Sequence, residues 1–218
     1  MKEKIVILGA GESGIGTAIL AKKQGFEVFV SDQGAIADST KDNFDQLEID
    51  WEENTHTISK MEGANYVMKS PGIPSNVPFM DVLRDLQIPI ISEIEFASKY
   101  TDATLIGITG SNGKTTTAML THHILKSAGF DVGLAGNIGN SFAKEVAEKN
   151  HKYYVLEISS FQLDGIVNFQ PKIAVLTGIS EDHMDRYSDV DSYFSTKLSI
   201  YDNCKKAVIN RALSAKIK

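Results

Sequence analysis

Cysteine is almost missing from this chain: 218 residues include one, Cys204. A single thiol cannot close an internal disulfide, which fits a reducing compartment. An excess of positive charge is missing too. Lys and Arg number 22 against 28 Asp and Glu, a net charge of −6, which speaks against a nucleic-acid backbone or an anionic membrane as partner. Any anion bound here must be held by local geometry. Long apolar runs are also lacking. The N-terminal MKEKIVILGAG breaks at glycines and has no A-x-A-like cleavage site, so it reads neither as a membrane span nor as a signal peptide. There is no low-complexity tract and no repeat of solenoid period. With 42% hydrophobic and 23% charged residues, the composition is that of a soluble globular protein of one large or two small domains, expected in the cytoplasm.

What is present is an alternation of short β-rich runs with helical patterns, the signature of parallel α/β architecture. Strands are predicted at 4–8, 27–31, 65–70, 88–92, 104–109, 153–159, 172–177 and 206–210. The runs at 153–159 and 172–177 are continuously apolar, as in strands buried on both faces. Helices are predicted at about 14–24, closed by Gly25, within 74–87, at about 114–128, ended by Gly129, and at 189–201. Ser92 with Glu95 three residues on has capping-box spacing, and a domain boundary is placed there. The fold class is α/β: a Rossmann-like unit over 1–93, then a P-loop-type parallel α/β unit over 94–218. The last residues, AVINRALSAKIK, leave two readings open: a doubly wound sheet that finishes here, or part of a longer protein.

Two glycine loops carry the chemistry. The first, GAGESGIG, gives Gly9-x-Gly11-x-x-Gly14 between a strand and a helix, and Asp32 ends the next strand. Gly9 permits a tight turn, Gly11 lets backbone approach a diphosphate, and Gly14 allows close helix–strand packing. The helix N-terminus favours negative charge. The pattern does not separate NAD from another nucleotide diphosphate, and a ligand-free βα turn would look the same.

The second loop, ITGSNGKTTT, lacks the first glycine of G-x-x-x-x-G-K-[ST]; Ile108 stands there. Gly110, Ser111, Asn112, Gly113, Lys114, Thr115 and Thr116 would still turn backbone N–H groups toward phosphate oxygens. Lys114 would meet the β/γ-phosphates and Thr115 would bind Mg²⁺. A hydride-transfer enzyme needs only the first loop, and a simple nucleotide hydrolase only the second.

The remaining candidates are ambiguous on their own. Glu157 ends a buried strand, where a carboxylate suits Mg²⁺ or is simply solvated. His183 lies in the acid-rich ISEDHMDRY, a metal or phosphate site or an ordinary polar loop. Lys197 reads from composition as a solvated helix lysine, and Asn137 as a turn residue.

Together these residues resemble the Mur ligases, the ATP-dependent amide-forming enzymes of peptidoglycan synthesis. TGSNGKTT at 109–116 is similar to that family's variant phosphate loop. LEISSFQL (156–163), EDHMDRY (181–187), Ser70-Pro71-Gly72 and GNIG (136–139) are similar to the family's D-glutamate-adding member. The resemblance implies that Gly9, Gly11, Ser13, Gly14, Asp32, Ser70, Pro71 and Gly72 hold the UDP end of a UDP-N-acetylmuramoyl-L-alanine precursor. Asn137, Ser159 and Tyr193 would face its sugar-peptide part. Gly110 through Thr116 would hold ATP, and Thr115, Glu157 and His183 would hold Mg²⁺, with two metal sites expected. Lys197 matches a lysine carried as a carbamate, in which CO₂ turns the amine into an anionic metal ligand. Lys114, His183 and Lys197 are then the catalytic set.

The implied partners are the precursor, D-glutamate and ATP, with a monomeric chain and neither nucleic acid nor membrane. Two departures stand out: Gly178, where relatives often carry asparagine, and Gln33, where some carry a hydroxyl residue. The family's C-terminal ligase domain has no counterpart in this sequence and the central domain is incomplete, so the resemblance implies precursor binding with little turnover. The rivals are another member of the family, a non-catalytic nucleotide-binding module and an NAD-dependent oxidoreductase.

Overall fold

The structure, a computed structural model, describes residues 2–213. It contains two five-stranded sheets, and every strand pairing in both is parallel. The first has the order β3-β2-β1-β4-β5. Its strands are β1 (Lys4–Leu8), β2 (Glu27–Ser31), β3 (Asp50–Glu52), β4 (Tyr66–Lys69) and β5 (Ile90–Ile91). The second has the order β10-β9-β6-β8-β7. It is built from β6 (Thr104–Thr109), β7 (Val132–Gly136), β8 (Tyr153–Glu157), β9 (Ile173–Leu176) and β10 (Lys206–Ile209). In each sheet the strand preceding a glycine loop, β1 or β6, lies where the strand order reverses. Ligands of open parallel sheets collect at that point, beyond the carboxyl ends of the strands.

Helices α1 (Glu12–Lys23), α2 (Asp38–Gln46), α3 (Pro78–Asp85) and α4 (Glu93–Ser98) belong to the first half of the chain. Helices α5 (Lys114–Ser127), α6 (Phe142–Glu148), α7 (Ser160–Leu163) and α8 (Val190–Leu198) belong to the second. The helix predicted from 14 begins at Glu12, because Gly11 is extended and serves as N-cap. The sequence patterns did not signal α2, β3, β7 or α6. Strand β7 contains two glycines, and α6 is a short helix capped by Ser141. No helix among the described residues is long and apolar enough to cross a membrane.

The sheets are joined through a helical layer of α1, α4 and α6. Gly16 of α1 lies so close to α6 that a Cβ there would sit 1.9 Å from Ser141 Oγ. One apolar cluster runs through this layer, from Ile5 and Val30 of the first sheet to Ala135, Tyr154 and Leu156 of the second. Buried carboxylates reinforce it. Glu93 Oε1 accepts from Ser141 Oγ at 2.6 Å and the Ala143 N–H at 3.0 Å. Ser92 caps α4 by accepting the Glu95 N–H at 3.2 Å. The reciprocal half of the predicted capping box does not form among the described residues. Glu95 Oε2 instead accepts the N–H groups of Val167, Asn168 and Phe169, at 3.1, 2.9 and 2.9 Å. Three amides on one oxygen outcompete a single N-cap amide.

Candidate functional site

At the first loop, Gly9 adopts φ +94, and a Cβ on it would stand 2.7 Å from Ser70 Oγ. A Cβ on Gly14 would lie 1.9 Å from the Gly9 carbonyl oxygen, so only glycine lets α1 start directly above the end of β1. Gly11 has open space around it. Asp32 braces the loop, accepting the N–H of Ala10 at 2.6 Å and of Gly34 at 2.8 Å. The Ser70-Pro71-Gly72 turn closes the other side, through Ser70 N–H to the Leu8 carbonyl at 3.0 Å. Ser70 Oγ is buried without a hydrogen-bond partner.

A cavity of about 390 Å³ opens here between Gly9, Asp32, Gln33, Gly72, His56 and Phe79. His56 and Phe79 stack in it, 4.6 Å between centroids. Neither was foreseen from sequence, since an isolated histidine and an isolated phenylalanine carry no local signal. Ser13, which the resemblance assigns to the precursor, is partly buried next to Glu93. One step round the helix from Glu12 turns it toward the α4 carboxylate of Glu93.

At the second loop, Gly110 (φ +150) and Gly113 (φ +80) shape the turn into α5. A Cβ on Gly110 would meet Thr177 Oγ1 at 2.1 Å. The missing first glycine is explained by position: Ile108 is fully buried inside β6, and the turn begins only at Gly110. Thr177 Oγ1 donates to the Asn112 carbonyl at 2.6 Å, and the Ser111 N–H donates to the Gly178 carbonyl at 2.8 Å. Gly178, a departure from the family pattern, therefore supports the loop through its backbone. Lys114 Nζ donates to the carbonyls of Gly110 and Ser111, at 2.8 and 3.0 Å. Thr115 and Thr116 lie exposed on the first turn of α5.

Lys197 is not a solvated helix lysine. It is 2% exposed, and its Nζ donates to the Gly110 carbonyl at 3.0 Å. Burial, helped by the neighbouring Lys114 charge, pushes its amine down to about 8, with Asp182 and Asp164 opposing. Its ammonium faces the Tyr193 ring at 4.8 Å. Tyr193 is itself fully buried, its hydroxyl 2.9 Å from Ser111 Oγ. It therefore reaches the phosphate loop rather than an open substrate surface.

Glu157, 1% exposed, ends β8 beside Ile108 of β6. Its Oε1 accepts from Asn137 Nδ2 at 2.8 Å, while Oε2 is buried with no hydrogen-bond partner. A buried carboxylate oxygen left unpaired is costly unless a cation or donor completes it, so the atom suits a hard divalent ion. Ser159 caps α7; its hydroxyl and the Gln162 side chain form a reciprocal capping box, which ties up the atom expected to face substrate. His183 stands half-exposed in a left-handed backbone conformation, φ +56, with its ring 4.8 Å from that of Phe161. The hydrogen bonds between Ser180 and Ser111, at 2.8 and 3.0 Å, dock its loop on the phosphate loop. Among the described residues no three His, Cys, Asp or Glu side chains cluster as a metal-holding set.

Two parallel sheets, each with a glycine loop at its switch point, and a buried lysine against the second loop define a two-sheet parallel α/β protein with a P-loop-like turn. The Mur ligase middle domain model matches residues 108–217, and the MurD N-terminal domain model matches residues 4–79. This chain belongs to the Mur ligase family. It is 55% identical over 204 residues to the UDP-N-acetylmuramoylalanine–D-glutamate ligase of Christiangramia forsetii, covering 93% of this chain and 46% of that protein. The ligase of the same name from Bacteroides fragilis is 56% identical over 202 residues, covering 92% and 46%. The chain thus spans about half the length of the curated relatives it matches.

Among solved structures, the UDP-N-acetylmuramate:L-alanyl-gamma-D-glutamyl-meso-diaminopimelate ligase of Neisseria meningitides aligns with a TM-score of 0.62. It is 21% identical and covers 99% of this chain and 74% of that one. The UDP-N-acetylmuramate–alanine ligase of Thermotoga maritima aligns with a TM-score of 0.59 and 21% identity, over 98% and 50%. At these identities the likeness shows the fold.

Proposed function

We propose that this chain is the precursor-binding and ATP-binding part of an ATP-dependent amide ligase that adds D-glutamate to UDP-N-acetylmuramoyl-L-alanine. The observation that carries the reading is Lys197: a buried lysine with a depressed pKa, in contact with the backbone of a phosphate loop. The relatives' names supply the amino acid and the acceptor. The division of labour assigns 1–93 to the UDP precursor and 94–218 to ATP.

In this reading the Gly9–Gly14 loop, braced by Asp32, holds the diphosphate, and the Ser70-Pro71-Gly72 turn flanks it. The Gly110–Thr116 loop holds ATP phosphates. Glu157 through its free oxygen, His183, Thr115 and a carbamylated Lys197 would hold Mg²⁺, which supplies charge neutralisation when bound. The alanyl carboxylate attacks the γ-phosphorus, ADP leaves, and an acyl phosphate results. The D-glutamate amine then attacks that carbonyl, phosphate leaves, and the amine proton is lost.

Bringing a carboxylate to a triphosphate sets two anions against each other. Lys114, partly buried in the loop mouth, offsets that repulsion more strongly than it would in water. With its pKa lowered to about 8, Lys197 is neutral in about a tenth of molecules at pH 7, far more than an ordinary lysine, and the neutral amine is the form that adds to CO₂. Asn137 orients Glu157 by hydrogen-bonding its other oxygen.

Isothermal titration with UDP-N-acetylmuramoyl-L-alanine and, separately, ATP tests the reading. Gly11→Ala should abolish the first heat and spare the second, and Lys114→Ala should do the reverse. A single ligand bound at both loops would overturn it.

A further inference from the structure

We propose that Arg186 is a positioning residue that couples the precursor loop to the phosphate loop. The inference rests on the two-site reading above and goes beyond it by naming the link. Arg186 lies in the loop that carries His183. Its Nη2 crosses to the other half of the molecule and donates to the Pro71 carbonyl at 3.3 Å. Its guanidinium lies 4.3 Å from the centre of the Phe161 ring.

From Phe161 two contacts run on. One is to His183, 4.8 Å between centroids, where the backbone is left-handed. The other is to Tyr187, stacked within 10° at 6.2 Å. Tyr187 meets Tyr193 edge-on at 5.2 Å, and Tyr193 reaches Ser111 Oγ and faces Lys197. Tyr187 is pinned at its far end by its hydroxyl, which donates to Asp164 Oδ2 at 3.1 Å. Residues of the Ser70-Pro71-Gly72 turn and of the phosphate loop are therefore the two ends of one unbroken set of packed rings.

Arginine suits the junction because a planar guanidinium can stack on a ring and donate in its own plane at once. A ligand that fixes the Pro71 turn orders Arg186, and through it the rings against Ser111. A second ligand at the phosphate loop then meets a site already ordered, which tightens its binding. The same factor must appear with the order of addition reversed. The decisive quantity is the coupling factor between the two ligands.

The 218-residue chain is titrated with Mg²⁺ and a non-hydrolysable ATP analogue, alone and with saturating UDP-N-acetylmuramoyl-L-alanine, and then in the opposite order. In the unmodified chain each ligand should tighten the other about fivefold or more, the lower end of usual coupling. In Arg186→Met and in Phe161→Leu that factor should fall to within about twofold of unity, while each ligand alone binds within about threefold of its original affinity. Thermal melts check that both variants fold. A factor of one in the unmodified chain, or full coupling in either variant, would overturn the proposal. A chain that binds neither ligand would instead sink the ligase reading itself.

Discussion

Lys114 and Lys197 share one acceptor: both ammonium groups donate to the carbonyl oxygen of Gly110, at 2.8 and 3.0 Å. Two cations on one carbonyl repel each other, and Lys114 is the second cause, after burial, of the lowered Lys197 pKa.

Replacing Lys114 should therefore move Lys197 back toward the ordinary lysine range. In Lys114→Met the midpoint of Lys197 titration is expected above the value of about 8 for the native chain. The neutral fraction at a pH of about 8 then falls, and ¹³C-labelled CO₂ should give less carbamate by NMR. Lys197→Met should give none at this position. An unchanged titration midpoint in Lys114→Met would remove the electrostatic argument.

The two glycines of the first loop should fail differently. A Cβ added to Gly11 would find no atom within 4 Å, whereas one added to Gly14 would stand 1.9 Å from the Gly9 carbonyl oxygen. Gly11→Ala should melt within a degree or two of the native chain while losing UDP binding. Gly14→Ala should be destabilised by about 1–3 kcal/mol or more, because backbone has to move. Urea unfolding compares the two, and equal stabilities would contradict the packing described.

Glu93 makes stability pH-dependent. Burial raises its pKa despite hydrogen bonds from Ser13, Ser141 and the Ala143 N–H, and its Oε2 lacks a partner of good geometry. The folded state thus keeps a proton that the unfolded state gives up near 4.5. This contribution is fully present below pH 4.5 and declines as pH rises through the folded-state value. Glu93→Gln, which cannot ionise, should be less sensitive over that window. Urea midpoints at about pH 5 and about pH 8 decide: the native chain should lose more between them than the variant, and parallel losses would refute the account.

Mg²⁺ should act through Glu157. With the ATP analogue present, Mg²⁺ is expected to raise the melting temperature of the native chain. Glu157→Gln, which keeps the shape but removes the negative charge and leaves a single acceptor oxygen for Asn137 and the ion to compete for, should abolish most of that rise. A full Mg²⁺ response in the variant would place the ion elsewhere.

The sequence disclosed what local chemistry controls. Gly9, Gly14, Gly110 and Gly113 are visible because turns and close approaches exclude side chains. Strands β6 and β8 are visible because burial on both faces leaves apolar runs, and β9 reads the same way although Ile173 and Val175 on one face are only partly buried. Lys197 showed nothing locally, because a helical lysine has the same spacing whether it faces water or Gly110. Helix α6 escaped for a similar reason: its hydrophobic partners are on α1, far away along the chain. Glu95 shows the mixed case, in which the cap spacing was readable but the three amides that claim its carboxylate were not.

The apolar cluster that runs without interruption from Ile5 to Leu156 has a consequence for dissection of the molecule. Cleaving the chain near 93 would not release two tidy halves. It would strip α1 of the surface supplied by α6 and expose oily faces on both products, so each piece alone should be prone to clump. The intact chain should lose its structure in one concerted step.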